Sequence, residues 1–96
     1  MPYFVATYEY TADTETRDAV RAEHRKYLAD LGPVLVASGP TDDEGAVLVF
    51  TAAAAGEVES ILDDDPFQRE GVVASRRVVG WTPVLGRLVT DGNLSE

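Results

Sequence analysis

The stretch VLVASGPTDDEGAVLVFT, residues 34–51, decides the fold. Its two apolar runs, 34–38 and 46–51, flank TDDEG, whose polar residues and glycine are typical of a hairpin turn. The runs therefore predict two antiparallel strands, which we place at the centre of a sheet. Because both runs are apolar at consecutive positions, both of their faces require burial.

The segments on either side supply the remaining elements. YFVATYEY at 3–10 is rich in β-branched and aromatic residues and predicts a first strand. Asp13 can cap a helix over about 14–31, in which apolar residues recur at helical spacing until Gly-Pro ends it. A second helix is predicted from Ala53 to about Leu62, and the last strand at 72–81.

This β-α-β-β-α-β order predicts an α+β, ferredoxin-like fold, with two helices on one face of a four-stranded antiparallel sheet. Something must cover the other face. A second copy related by a two-fold axis would close the two sheets into a barrel, so we predict a homodimer, a dimeric α+β barrel. The alternative is a monomer in which residues 82–90 fold back over that face.

Composition limits the classes of function. A chain of 96 residues fits one domain, which we place at 1–83, with 84–96 as a C-terminal extension or tail. The formal net charge of −9 argues against nucleic acid and membrane surfaces as partners. No cysteine is present, and no apolar stretch is long enough for a signal peptide or a membrane span. We expect a cytoplasmic protein.

The first candidate for chemistry is His24, the only histidine of the chain. It shares one face of the predicted helix with Val20, Tyr27 and Leu31, and so points towards the sheet. Imidazoles ordinarily titrate near neutrality and can transfer protons at physiological pH. A partly buried histidine that hydrogen-bonds a backbone carbonyl explains the spacing equally well.

Asp65, before Pro66, is the second candidate, because a carboxylate at a helix start can orient an imidazole. A plain helix cap also accounts for it. Ser38, Gly39 and Pro40 end the second strand, where a glycine allows a ligand to approach and a hydroxyl can anchor it. A strand terminator is an equal explanation.

No motif of the sequence indicates a cofactor. One histidine without cysteine argues against a transition-metal site, and phosphate loops, dinucleotide fingerprints and esterase elbows are absent from the sequence. We therefore predict no cofactor and no metal. Arg17, Arg21 and Arg25 recur every four residues, and we interpret them as a solvent-facing ridge in preference to an anion site.

In order along the chain, YFVATY, RAEHRKYLADLG, VLVASGPTDDEGAVLVF, DDDPFQREGV and a strand ending in Trp81 resemble the YciI-like (YCII-related) family. The resemblance covers residues 1 to about 83. It implies a ferredoxin-like fold assembled as a dimeric α+β barrel. It also implies a histidine–aspartate active site, which falls on His24 and Asp65, with Ser38 at the strand end.

The leading hypothesis is a small cofactor-independent enzyme of the lyase, isomerase or dehalogenase type. His24 and Asp65 are its catalytic residues, and the substrate-binding residues are Ser38, Gly39, Pro40 and Phe67. A non-catalytic dimer that binds a small metabolite is the alternative, and a cofactor-free oxygenase is a third option. The sequence does not name a substrate.

Overall fold

The computed structural model describes residues 2–90, 92 and 94. In chain order the elements are β1 (Tyr3–Tyr10), α1 (Thr14–Ala29), a 3-10 turn (Gly32–Val34), β2 (Leu35–Pro40), β3 (Gly45–Thr51), α2 (Ala55–Asp63), α3 (Pro66–Arg69), β4 (Val73–Trp81) and α4 (Arg87–Thr90). The four strands and two longer helices confirm the predicted α+β, ferredoxin-like fold.

The sheet has the strand order β2-β3-β1-β4, and each neighbouring pair is antiparallel. The prediction that 34–38 and 46–51 are both central strands is therefore wrong for the first run. The α1 crossover carries the chain to the outer edge of the sheet, where β2 pairs with β3 alone, and β3 returns to pair with β1. An apolar run thus marks an edge strand here as well as a central one.

Strand alternation builds the core between the sheet and the helices. Alternate residues of β1 and β3 point to the helices, and all of these except the partly buried Tyr10 are buried; α1 and α2 supply the opposing side chains. The core comprises Phe4, Ala6, Tyr8, Leu28, Ala46, Leu48, Phe50, Ala52, Val58 and Leu62.

Helix α1 begins at the predicted cap and ends at Ala29, two residues before the predicted end at Leu31. The Asp13 carboxylate accepts the Thr16 backbone N–H at 3.0 Å, which confirms it as the cap. After the helix, Gly32 adopts a φ of +69°, a conformation that favours glycine. Between these ends Val20, His24 and Leu28 are the buried residues, so the only imidazole faces the sheet as expected.

The other face of the sheet carries apolar side chains that the helices do not cover. Val47, Val79 and Trp81 are 37%, 37% and 40% exposed. The C-terminal segment adds α4, and Pro83 and Leu94 are buried. Val47, Val79 and Trp81 keep these exposures with the described residues of that segment in place, so it does not fully cover this face, and the choice between a dimer and a monomer stays a prediction. The domain boundary at residue 83 stays a prediction.

Candidate functional site

A fully buried carboxylate lies at the start of α3. Asp65 is 0% exposed, and its Oδ1 accepts the Phe67 backbone N–H at 3.0 Å, so it does cap this short helix. Pro66, which has no N–H to satisfy, suits the first helical position. The other oxygen, Oδ2, accepts the hydroxyl of Tyr8 on β1 at 2.8 Å. The cap is therefore also tied to the centre of the sheet.

His24 contacts the same carboxylate. Its Nδ1 lies 2.7 Å from Asp65 Oδ1, and its side chain is 11% exposed. Since both carboxylate oxygens already accept hydrogen bonds from N–H or O–H donors, we assign Nδ1 as protonated and donating. The remaining nitrogen, Nε2, is then the one that carries a free lone pair.

Aromatic rings hold the imidazole from one side. The Phe67 ring stacks on the His24 ring with a centroid separation of 3.8 Å and an angle of 4° between the planes. Tyr10 then packs edge-on against Phe67 at 5.5 Å. Ring stacking and the bond to Asp65 together restrict the imidazole to one orientation.

A cleft of about 650 Å³ opens between α1 and the half of the sheet formed by β2 and β3. His24 and Phe67 line it, together with the apolar side chains Leu28, Leu35 and Leu48. The strand-end residues Ser38, Gly39 and Pro40 line it too, whereas Asp65 lies behind His24, outside the lining. The structure thus gathers all six predicted site residues at one cleft. Their catalytic and binding roles stay predictions.

The three arginines of α1 also line this cleft, so the interpretation of a solvent-facing ridge is wrong for Arg17 and incomplete for Arg21 and Arg25. Only 11% of the Arg17 side chain is exposed. Its Nη2 donates to Glu44 at 2.6 Å, and its guanidinium lies 4.9 Å from the centre of the Tyr10 ring. Four-residue spacing places side chains on one stripe, but only the packed sheet shows what that stripe faces.

Tyr8 and Tyr10 belong to the site, although the sequence motifs did not predict them as site residues. Burial raises the pKa of Tyr8, and the neighbouring Asp65 charge raises it further. Burial also raises the pKa of Tyr10, while Arg17 and Arg21 act in the opposite direction. Strand alternation was the available signal: both tyrosines share the inward face of β1, and a buried hydroxyl requires a hydrogen-bonding partner.

Two classes of site find no support in the part of the chain that the structure describes. No group of three histidine, cysteine or acidic side chains is placed to hold a metal ion there. None of the described helices is long and apolar enough to cross a bilayer.

The fold and its helix-to-sheet cleft define a ferredoxin-like α+β domain. The model of the YCII-related domain matches residues 1–82, and the chain therefore belongs to the YCII-related family, as the sequence motifs implied. No curated protein shows detectable similarity to it.

Solved structures share this fold. A 5-chloro-2-hydroxyhydroquinone dehydrochlorinase from Burkholderia phenoliruptrix, in complex with 2,5-dihydroxybenzoquinone, is 26% identical and matches 83% of this chain and 93% of its own, with a TM-score of 0.76. A NIPSNAP family protein from Agrobacterium tumefaciens is 15% identical, with 86% and 92% covered and a TM-score of 0.58. An uncharacterized NIPSNAP domain protein from Burkholderia xenovorans is 16% identical, with 88% and 95% covered and a TM-score of 0.55. Family and fold together support a small enzyme-like protein.

Proposed function

We propose that this chain is a cofactor-independent enzyme of the lyase, isomerase or dehalogenase type, in which His24 transfers a proton at a carbon next to a carbonyl. The observation that carries the proposal is the 2.7 Å contact between His24 Nδ1 and the buried Asp65 at the wall of the cleft. In such a pair the carboxylate orients the ring and stabilises the imidazolium. Nε2 is then the atom that exchanges a proton with the substrate.

Similarity to the dehydrochlorinase suggests a chlorinated hydroxyhydroquinone as the first substrate to test. Loss of HCl from such a ring needs no oxidant. A base moves the proton of one ring hydroxyl to the chlorinated carbon, which leaves a carbonyl beside that carbon. The base then accepts the proton of a second hydroxyl, para to the first hydroxyl, as chloride departs, and a hydroxyquinone forms. One imidazole that alternates between base and acid can perform both transfers.

The remaining predicted residues have positioning roles in this scheme. The Ser38 hydroxyl at the end of β2 donates to a substrate oxygen, and Gly39 and Pro40 leave room for the ring. Phe67 keeps the imidazole plane in place through its stacking contact.

We also propose that the protein is a homodimer. The exposed valines and tryptophan of the sheet face opposite the helices are the support, because a second copy would remove them from water. The cleft lies on the helical side of the sheet, so each subunit retains its own site.

The test is anaerobic chloride release from 5-chloro-2-hydroxyhydroquinone. We expect turnover by the unaltered protein and a loss of about 10²- to 10⁴-fold in His24→Gln, the range that general acid–base groups contribute. Lys26→Gln is the matched control, since Lys26 is exposed on the same helix and lies outside the cleft. Equal rates for His24→Gln and Lys26→Gln would contradict the proposal. Binding without turnover in every variant would favour the non-catalytic alternative.

A further inference from the structure

Positive charge is concentrated at the cleft. The chain carries 8 basic and 17 acidic residues, yet Arg17, Arg21 and Arg25 all line this one cavity. Asp42 and Glu44 are the acidic residues of the lining. A concave site with an excess of one charge attracts ligands of the opposite charge. In a protein of net charge −9 this local excess opposes the overall field.

Arg17 has an unused hydrogen-bonding group. Its Nη2 is taken by Glu44, but its Nη1 is buried and has no hydrogen-bond partner among the described residues. A buried donor without an acceptor is costly, and such a group in a folded protein calls for an explanation. Glu44, the partner of Nη2, is 70% exposed on the turn between β2 and β3, where water weakens the pair.

Arg21 is more accessible than Arg17. Its side chain is 38% exposed, and its ion-pair partner is Asp18, one turn back on the same helix and mostly exposed. Exposed pairs of this kind contribute little and are readily exchanged for a ligand. Since Arg21 precedes His24 by three residues, the two side chains lie one turn apart on the same side of α1.

Ring contacts connect the imidazole to the guanidinium. His24 stacks on Phe67 at 3.8 Å, Phe67 meets Tyr10 at 5.5 Å, and Tyr10 lies 4.9 Å from the Arg17 guanidinium. All four side chains line the cleft. A flat ligand along this wall has the imidazole at one end and a cation at the other.

We infer that the cleft binds a planar anion, a ring bearing a carboxylate, phenolate or enolate oxygen, that Arg21 donates to this oxygen, and that the buried Arg17 attracts it through its charge. Guanidinium groups suit such oxygens because they donate two parallel hydrogen bonds. The inference rests on the proposed function for the role of His24, because anchoring the anionic end directs the rest of the ring towards the imidazole. To the proposed function it adds the charge of the ligand and the residues that recognise this charge.

The test measures binding and needs no turnover. The probes are 2,5-dihydroxybenzoquinone, whose acidic hydroxyls are ionised at neutral pH, and 2,5-dimethoxybenzoquinone, which cannot ionise. We expect the unaltered protein to bind the anion more tightly than the ether, and more weakly as salt is added. Arg21→Gln should weaken binding of the anion by about 10- to 100-fold and leave binding of the ether unchanged. Lys26→Gln, which removes one charge elsewhere on α1, should leave both affinities unchanged.

Equal affinity for the two probes in the unaltered protein would overturn the inference, as would equal effects of Arg21→Gln and Lys26→Gln. Arg17→Gln gives a second reading, and it should weaken the anion selectively as well. Circular dichroism and the unchanged affinity for the ether verify that each variant is folded. If binding of the anion depends on the arginines but chloride release does not depend on His24, only the proposed function is refuted. Chloride release that depends on His24 with no preference for the anion would refute only this inference.

Discussion

The buried hydrogen bonds of Asp65 make a quantitative prediction about coupling between two residues. In Asp65→Asn, the amide oxygen can keep the bonds from Phe67 and His24 at the Oδ1 position, and the amide nitrogen takes the place of Oδ2. Tyr8 then faces a donor at 2.8 Å where it had an acceptor. Its hydroxyl can accept that bond, but its own buried hydrogen loses its partner.

The free energy of unfolding should fall by about 2–4 kcal/mol in this variant. Two bonds to a charged acceptor become bonds to a neutral one, at a loss of roughly 1 kcal/mol each, and the orphaned hydroxyl adds about 1–3 kcal/mol. Removal of a buried charge offsets part of this sum. Tyr8→Phe alone should cost about 1.5–3 kcal/mol, because it leaves a carboxylate oxygen without its donor.

The two substitutions should not be additive. Once Asn stands at 65, removing the Tyr8 hydroxyl also removes the orphaned donor, so Tyr8→Phe should then cost only about 0–1 kcal/mol. The coupling energy, which is the difference between these two costs of Tyr8→Phe, is therefore about 0.5–3 kcal/mol. Tyr27→Phe is the matched control: its hydroxyl donates to the Ile61 carbonyl at 2.7 Å and shares no hydrogen bond with the carboxylate, so its effect should add to that of Asp65→Asn.

Urea denaturation of the four members of the cycle at pH 7 measures these energies. Protein concentration is held constant, because dimerisation would make stability depend on it. The single histidine allows an independent reading by nitrogen NMR, which should show a protonated Nδ1 in the unaltered protein. A coupling energy below about 0.5 kcal/mol, or coupling equal to that of the Tyr27 control, would refute the account of the buried bonds.

Three further predictions concern alkaline stability, the strand pairing and the open face. The pKa of Tyr8 is raised in the folded protein, so Tyr8 contributes stability that is present below about pH 10, where the unfolded tyrosine is protonated. Above that pH this stability is lost by about 1.4 kcal/mol per pH unit. Tyr8→Phe should therefore flatten the alkaline decline in the free energy of unfolding, as measured by denaturation from pH 9 to 11. Gly45→Ala should lower the denaturation midpoint, since the new Cβ would overlap the Tyr8 carbonyl oxygen of the paired strand. In α2, the new Cβ of Gly56→Ala meets nothing, so this variant should be stabilised by about 0.5–1 kcal/mol. Equal effects of the two substitutions would contradict both predictions. Val47→Glu should shift the protein to monomers in analytical ultracentrifugation with little change in its circular dichroism, and an unchanged sedimentation coefficient would count against a dimer through this face.

The sequence by itself determined the fold class, the order of the strands and helices and the inward orientation of His24. These features follow from local periods and signals, such as the Asp13 cap, the Asp65-Pro66 helix start and the glycine-containing hairpin. Local signals act within a few residues, so one chain is enough to read them. The family motifs then paired His24 with Asp65, which spacing alone had left undecided.

Only the tertiary structure decided which side chains meet. Asp65 is 41 residues from His24 and 57 from Tyr8 along the chain, and no local pattern encodes contacts over such distances. The same reason explains the edge position of β2 and the placement of Arg17 in the cleft, because both depend on where the α1 crossover brings the chain. Periodicity establishes which residues share a face, and packing alone establishes what that face meets.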